Sequence, residues 1–599
     1  MSGIAGFYQS KYDFTENPAW ENRLYAMQES LGNEEKLLYS HAGLACSITP
    51  VIYPHLSSSI FSGELYNADV LRTLLSSFPL HWETDSDAEI VNNGYLAMGP
   101  DFIKHLSGIF ALAIYDERRD RLVVARDPLG AKPLFYQQVD DCFVFGSAQK
   151  ALFAFGIPPR LDRESFCEIF GLGPARTPGH GVFYEMREVL PGHMIIISPD
   201  DYRDEAFFTL TGAEHVDTVS ETKEKVSWLI TDSIKRQMFS PPPGDAPLGS
   251  LLSGGLDSSL LSALTQRELA KKGGRLKTYS FDFSGSKEHF QPNAFQSSLD
   301  RPYVDIMVAE LGSEHTYLEC DSLTQADYLE KAVDARDLPC MADIEASLLY
   351  FLELVAADCP AVLSGECADE IFGGYPWFHR EELWQKNAFP WSYDLSARTA
   401  LLKADFLESL YLTDYVKQAY EKSLAETPRF EGDNETEARR REIAWLNIRW
   451  FMATLMNRLN RTGTAAGLAA RTPYADIRIL QYVYNIPWAI KCQDGVIKSL
   501  LTAAGEGLLP EEILRRKKSP YPKTYDKGYE KLLAKRLREQ ITDSASPLRD
   551  IIDVAKAEAF IAGDFNYGKP WYGQLMAGPQ MLAYLLQVDY WMRKFKLRG

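Results

Sequence analysis

The sequence has no Cys-x-x-Cys pair, no excess of positive charge and no long apolar run. Its eight cysteines, at 46, 142, 167, 320, 340, 359, 367 and 492, are scattered. That spacing argues against a disulfide framework or a clustered zinc site and points to a reducing, cytoplasmic setting. A formal net charge of −19 disfavours a broad nucleic-acid-binding face, so no nucleic acid is expected as a partner. No apolar stretch reaches the roughly 18 residues a spanning helix needs, so no membrane is expected either. Met1 to Phe7 lacks a basic n-region and an apolar h-region and reads as a first strand, not a signal peptide. Internal repeats and low-complexity tracts are missing too. What is there, 46% hydrophobic and 24% charged over 599 residues, fits a soluble chain too long for one core. Two or three domains are expected.

One stretch stands out: Leu251-Leu252-Ser253-Gly254-Gly255-Leu256-Asp257-Ser258-Ser259. A short apolar run, Pro247 to Leu252, stops at two glycines, and a Leu-rich helical pattern follows from Leu260 to about Lys271. Glycines let the backbone approach a ligand closely, and a helix N-terminus offers free N–H groups and partial positive charge. Ser253, Ser258 and Ser259 add hydroxyls. Asp257 is out of place beside an anion unless a cation lies between them, and Mg²⁺ is the usual one with phosphates. The ending is not Gly-Lys-Ser/Thr, so this is no Walker-type loop. The plain alternative is a turn that caps a helix.

Around it the chain changes character. Up to about residue 200, β-type runs recur: Gly3–Tyr8, Ala42–Ile48, Ser58–Leu65, Ile109–Tyr115, Leu122–Ala125, Cys142–Gly146 and His193–Ile197, with turn signals between them. This predicts a sandwich of antiparallel sheets with a few helices. The polar stretch Ser198 to Ser220 reads as a separator. From Glu221 the pattern alternates: helix 221–237, strand and loop 248–259, helix 260–271, strand 276–283, helices 301–311, 324–335 and 343–357, and strand 360–364. Such alternation predicts a parallel sheet with ligands at the strand C-termini. Beyond 380 the pattern is almost wholly helical.

Two further stretches carry chemistry. Leu363-Ser364-Gly365-Glu366-Cys367-Ala368-Asp369-Glu370-Ile371-Phe372-Gly373-Gly374-Tyr375 again runs from an apolar strand into small residues, then carboxylates. Alone it suits an acidic helix N-terminus. With the first loop it suggests that Asp257 and Asp369 clamp Mg²⁺ on a nucleotide's phosphates. Arg515-Arg516-Lys517-Lys518-Ser519-Pro520-Tyr521-Pro522-Lys523 could be a solvated basic face or a counter-charge for phosphate.

These motifs resemble the asparagine synthetase family over nearly the whole chain. The Ser-Gly-Gly-Leu-Asp-Ser-Ser loop is similar to the pyrophosphate-binding loop of ATP pyrophosphatases. Residues 1–200 resemble a class II glutamine amidotransferase domain through Gly3-Ile4-Ala5-Gly6-Phe7, Gly63-Glu64-Leu65-Tyr66-Asn67, Asp85-Ser86-Asp87-Ala88-Glu89 and Ala125-Arg126-Asp127-Pro128. Residues 221–599 resemble the synthetase domain. The resemblance implies an α/β plus β-sandwich fold: an Ntn-hydrolase-like antiparallel αββα domain, then a doubly wound parallel-sheet ATP-pyrophosphatase domain with a helical C-terminal part. It implies ATP and Mg²⁺, a small-molecule or peptide carboxylate substrate, an ammonia or amine nucleophile, and allows a homodimer. Leu251, Ser253, Gly254, Gly255, Leu256, Asp257, Ser258, Ser259, Ser364 and Gly365 would hold the nucleotide, with Ser280 and Phe283 on the adenine side. Glu366 would orient the substrate or take a proton from the amine, with Tyr375 nearby, and Lys518 would neutralise the departing pyrophosphate.

The sequence also departs from that family. Ser2 stands where the nucleophilic cysteine is expected, Ile48 where an arginine grips the glutamine carboxylate, and Ser62 where an asparagine lines the oxyanion hole; the Arg-Gly-Pro-Asp segment near Ser30 to Lys36 is missing. An alkoxide is harder to form than a thiolate. A domain that no longer hydrolyses glutamine is therefore expected, with Asp87 kept and Cys46 a buried strand residue. In the synthetase part Ala469 replaces a glutamate, which casts doubt on the acceptor. The expected function is an AMP- and pyrophosphate-forming amide ligase without glutamine hydrolysis. Two alternatives stand beside it: a ring-closing enzyme like β-lactam synthetases or lasso-peptide cyclases, and a nucleotide-binding regulatory pseudoenzyme.

Overall fold

The computed structural model describes all residues except 1–2, 33–34, 48, 240–246, 291, 293–297, 564–566, 568–569 and 599. The chain divides into two compact units, Met1–Arg160 with Pro178–Leu210, and Leu161–Thr177 with Thr211–Gly599. The single separator expected near residue 200 gives no sign of the 161–177 excursion.

The first unit is built on two antiparallel six-stranded sheets. One runs in the order Arg187–Glu188, Phe135–Val139, Cys142–Gly146, Ile4–Tyr8, Ala42–Cys46, Glu35–Leu38. The other runs Asp201–Ala206, His193–Ser198, Arg121–Arg126, Gly108–Asp116, Ser57–Leu65, Val51–Tyr53. Strand Gly108–Asp116 shows why the apolar runs are continuous. Ala111, Ala113 and Tyr115 enter the core between the sheets, while Phe110, Leu112 and Ile114 face helix Asp87–Met98 and its neighbours on the other side. A strand buried on both faces has no polar face to show. Helices Pro18–Ser30 and Gln149–Phe155 cover the first sheet, which completes the αββα layering.

Most expected strands are present within two residues. The polar separator is the exception. Asp201–Ala206 within it is a strand, paired antiparallel with His193–Ser198. It lies at a sheet edge with mostly exposed side chains, so polarity there marks an edge and not a linker.

In the second unit, five parallel strands are ordered Glu314–Cys320, Lys277–Phe283, Leu248–Leu251, Ala361–Leu363, Ala469–Arg471. Two of these, Glu314–Cys320 and Ala469–Arg471, were not recognised in the sequence. The chain starts in the middle, winds one way through Lys277–Phe283, then returns to the other side of Leu248–Leu251. The two central strands, Leu248–Leu251 and Ala361–Leu363, are therefore the point where the winding reverses, and in open sheets ligands bind in the crevice just beyond it. The remainder is helical, from Pro376–His379 to Gly578–Lys594, apart from the short strand Ala469–Arg471 and loops. No helix among the described residues is long and apolar enough to cross a membrane.

Gly63 fixes how closely two strands of the first unit approach. It has φ +147°, and a Cβ there would fall 2.0 Å from the Ile109 carbonyl oxygen. Gly63→Ala should cost about 1–3 kcal/mol of local stability, the range for overpacking. Amide hydrogen exchange would show it as lost protection over residues 57–65, with the second unit unchanged.

Candidate functional site

Strand Leu248–Leu251 leads directly into the glycine loop. Gly254 takes φ +69°, and a Cβ there would come within 2.7 Å of the backbone at Tyr303 and Val304. Only glycine fits both the dihedral and the space. The helix begins at Leu256, earlier than periodicity indicated, so Asp257 lies in its first turn. Its N-cap, Gly255, provides no side-chain acceptor, so the first-turn amides stay available to a ligand. Ser258 holds the loop in shape: its Oγ is 3.0 Å from Ser253 Oγ and accepts from Ser253 N at 3.2 Å. Ser259 Oγ is buried without a partner among the described residues. Tyr474 braces the turn from behind, its hydroxyl donating to the Asp257 carbonyl at 2.9 Å.

The second loop leaves the adjacent strand. Ser364 N donates to the Arg471 carbonyl at 2.8 Å, and Gly365 lies so close that a Cβ there would be 3.1 Å from Ser258 N. This contact brings the two acidic residues together. Lys498 Nζ donates to both carboxylate oxygens of Asp257 at 2.7 Å and to Asp369 Oδ1 at 2.8 Å. Lys518 Nζ lies 2.7 Å from Asp369 Oδ2. Burial pushes the Asp369 carboxyl up, but Lys498 and Lys518 outweigh it and hold it far below the ordinary carboxylate range. At Asp257 burial wins and the shift is upward, with Lys498 opposing and Asp369 adding to it. Two carboxylates share one central ammonium, and Asp369, which has a second, takes the larger part of the positive charge.

The basic run does not act as one face. Arg515 pairs with Glu511 at the surface. The Arg516 side chain is 2% exposed; it donates to the Ser253 carbonyl at 2.8 Å, pairs with Asp300 and lies 4.1 Å above the Tyr303 ring. Lys518 reaches Asp369, and Lys523 is pushed down by burial, with Asp343 opposing.

Glu366 is held by Arg458, Nη2 to Oε1 at 2.5 Å, and its Oε2 is buried with no partner among the described residues. Tyr375 donates to Glu370 Oε1 at 2.6 Å and has Lys518 Nζ 5.0 Å from its ring centroid. Burial, with Asp369 adding, pushes the Glu370 carboxyl up to about 7. Ser280 Oγ is 3.0 Å from His315 Nε2, and burial with nearby Arg301 lowers that imidazole to about 4, so it is neutral at physiological pH.

These groups line one cavity of about 940 Å³ in the second unit, with Leu251, Ser253, Gly255, Leu256, Asp257, Ser258, Ser280, Ser364, Gly365, Glu366, Asp369, Tyr375 and Lys518 all on its wall. Gly254 and Ser259 shape the loop from behind. Phe283 does not line the cavity; it packs with Cys320 and Phe351, and its neighbours Phe281 and Asp282 face the space instead. Ala469 is also off the wall. It pairs with Ala361 at the N-terminal end of its strand, so the missing carboxylate leaves no gap in this cavity. Nothing in the sequence around Lys498 or Arg458 marks them, because neither lies in a motif and their acidic partners are distant in the chain.

In the first unit, Asp87 Oδ2 accepts from Leu65 N at 2.8 Å, and burial pushes its carboxyl up to about 6. Ser62 is buried in the strand opposite Ala111. Cys46 is buried opposite Ile4 in the core between the sheets, as expected of a structural cysteine. Ser2 and Ile48 lie outside the described residues.

Two glycine loops, paired carboxylates and converging lysines at the reversal point of a parallel sheet define a nucleotide-handling α/β enzyme domain. The asparagine synthase family model matches residues 225–593 and a glutamine amidotransferase domain model matches residues 50–208. The chain is 40% identical over 541 residues to the glutamine-hydrolyzing asparagine synthetase 3 of Bacillus subtilis, covering 90% of this chain and 87% of that one. It is 26% identical over 502 residues to asparagine synthetase 1 of the same organism, covering 77% and 75%. With asparagine synthetase B of Escherichia coli it shares 28% identity over 330 residues, covering 53% and 52%. The chain belongs to the asparagine synthetase family, and with it to the ATP-dependent carbon–nitrogen ligases.

The Glu370 shift fixes a pH dependence. Its folded carboxyl titrates at about 7 against 4.5 for the free side chain. A raised pKa contributes stability below pH 4.5 that is lost as pH climbs through 7. Glu370→Gln removes this loss. Unfolding midpoints of variant and wild type, followed from pH 4.5 to 7.5, should shift in the variant's favour by at most about 1.4 kcal/mol per pH unit. A constant difference would show Glu370 to be ionised throughout.

Proposed function

We propose that residues 221–599 adenylate a carboxylate with ATP, release pyrophosphate and pass the acyl group to ammonia or an amine. We further propose that residues 1–200 form an amidotransferase-like domain that no longer hydrolyses glutamine. The observation that carries the first part is the convergence of Asp257, Asp369, Lys498 and Lys518 beside the first-turn amides of the helix that begins at Leu256.

In the first step a substrate carboxylate oxygen attacks the α-phosphorus of ATP, and the bond to the β-phosphate oxygen breaks. Negative charge builds on the leaving pyrophosphate. The loop amides, Lys498, Lys518 and Arg516 face that charge, and fixed donors in a site partly shielded from water need no reorganisation to meet it. In the second step the amine nitrogen attacks the acyl carbon, the bond to AMP breaks and the nitrogen loses a proton. Glu366 is suited to this step: Arg458 fixes one oxygen and leaves Oε2 without a partner as an acceptor. Tyr375, locked on Glu370, forms a rigid wall beside Lys518.

Mg²⁺ fits the residues present. Two carboxylates converge on one cation, and Mg²⁺ is usually held by one or two carboxylates together with substrate phosphates. No group of three or more His, Cys, Asp or Glu side chains among the described residues could hold a metal, so phosphate oxygens must complete the set. Asp257 and Asp369 would hold the ion, which when bound would offset phosphate charge.

The loss of glutamine hydrolysis is supported by Ser2, Ile48 and Ser62, which replace nucleophile, carboxylate anchor and oxyanion donor together. The relatives carry names that state glutamine hydrolysis, so this is where the chain would differ from them. The 40% identity across 90% of the chain favours a synthetase over a ring-closing enzyme.

Purified protein with ATP, Mg²⁺ and aspartate should release pyrophosphate and form asparagine with ammonium but not with glutamine. Faster turnover with glutamine would overturn the second proposal; no pyrophosphate release with any carboxylate tried would overturn the first. In the same assay Lys518→Met should lower kcat by roughly 10²–10³, the range for removing one charge-stabilising donor.

A further inference from the structure

A second pocket of about 220 Å³ lies in the same unit, away from the glycine loops. Lys491 lines it and is 8% exposed, yet its ammonium has no hydrogen bond or ion pair to any described residue. Arg440 on the same wall spends one nitrogen on the Phe378 carbonyl, 3.0 Å away. Its guanidinium lies 4.6 Å from the Trp488 ring centroid and 5.0 Å from that of Trp384, with no carboxylate of the described residues paired to it. We propose that this pocket binds a small monocarboxylate, with Lys491 and Arg440 as its donors.

The surrounding charges decide the class of ligand. Arg441 is already committed to Asp433, at 2.5 and 3.1 Å, and to Asn485 at 2.9 Å. Glu437 accepts from Trp488 N at 3.2 Å and forms no ion pair among the described residues. His215 is engaged with Thr222, and Glu214 is exposed at the rim. Burial, then Arg441, pushes Lys491 down to about 7; Glu437 opposes this and Arg440 adds to it. Burial is the larger cause, and with two guanidiniums against one carboxylate acting on it this unpaired ammonium lacks a negative partner. Glu437 and Asp433 nearby make a doubly charged phosphate a poor occupant, whereas a single carboxylate restores neutrality. Phe378, Tyr484 and Ile486 give an apolar wall for a short side chain.

The pocket lies behind the phosphate clamp. Ser499, which follows Lys498, donates its hydroxyl to the Lys491 carbonyl at 3.0 Å and the Ile490 carbonyl at 2.8 Å. On the other side the Trp488 ring packs against Gly373, next to Gly374, on which the Asp369 carboxylate rests. An occupant therefore shares the 488–498 segment with the lysine that joins Asp257 to Asp369.

The test needs no turnover, so its outcome is independent of the ligase reading. Full-length protein is titrated with sodium acetate by calorimetry at pH 7.5 and constant ionic strength, in two buffers of different ionisation heat. Wild type should show one saturable site with proton uptake, because bound acetate raises Lys491. Lys491→Met should weaken acetate binding at least tenfold and abolish the proton uptake. Glu437→Gln, which keeps an acceptor for Trp488 N, should tighten binding several-fold and guards against misfolding of the first variant. Equal acetate binding in wild type and Lys491→Met, no saturable heat in wild type, or phosphate binding as tightly as acetate would each overturn the proposal.

Discussion

The second unit is organised by a shared cation. Asp257 and Asp369 come from loops more than a hundred residues apart, and both carboxylates are bonded by Lys498. Bringing two buried carboxylates together without such a partner would be strongly unfavourable. The lysine makes the geometry tenable, and Lys518 adds a second positive charge on Asp369. On the proposed function, polyphosphate would compete with the carboxylates for the two ammoniums, and a divalent ion would compete with the ammoniums for the carboxylates. Binding of such a substrate would then be an exchange of partners within an already charged cavity, with little new charge to bury.

That exchange depends on how closely the two loops approach. Parallel strands Leu248–Leu251 and Ala361–Leu363 are neighbours in the sheet, so both loops emerge on one edge at the point where the winding reverses. Gly254 lets the first loop turn against the backbone at Tyr303, and Gly365 lets the second pack on the amide of Ser258. Backbone sterics therefore position the carboxylates; Lys498 comes from the cap just before helix Ser499–Gly505 and Lys518 from an irregular segment after helix Glu511–Leu514. Arg516 completes the arrangement by fastening the basic segment to the loop through the Ser253 carbonyl and Asp300.

The first unit keeps its architecture where its chemistry is in question. Its two sheets bury apolar side chains on both faces of the central strands, and those apolar clusters do not include Ser62 or Asp87. A scaffold of this kind tolerates replacement of site residues at its edge, because stability resides in the layers. Family membership and the proposed loss of glutamine hydrolysis are therefore compatible.

The sequence by itself determined a great deal. Alternating strands and helices indicated the parallel sheet, apolar β-runs indicated the sandwich, and the two glycine loops with Asp257 and Asp369 marked the cavity, because local turn chemistry and periodicity are written in neighbouring residues. It misjudged what depends on packing. Polar Asp201–Ala206 is an edge strand, because an edge requires no apolar alternation on its exposed face. Phe281 and Phe283 both pack against Phe351, yet only Phe281 also reaches the cavity wall, a difference of position along the strand that the motif does not show. Ala469 lies away from the cavity. Only the tertiary structure decided that Lys498 joins the two aspartates, that Arg458 holds Glu366 and that Lys491 is left unpaired. The partners of Lys498 and Arg458 lie tens to hundreds of positions away, and the surroundings that leave Lys491 unpaired come from separate segments, so spatial contact fixes all three and leaves no local signature.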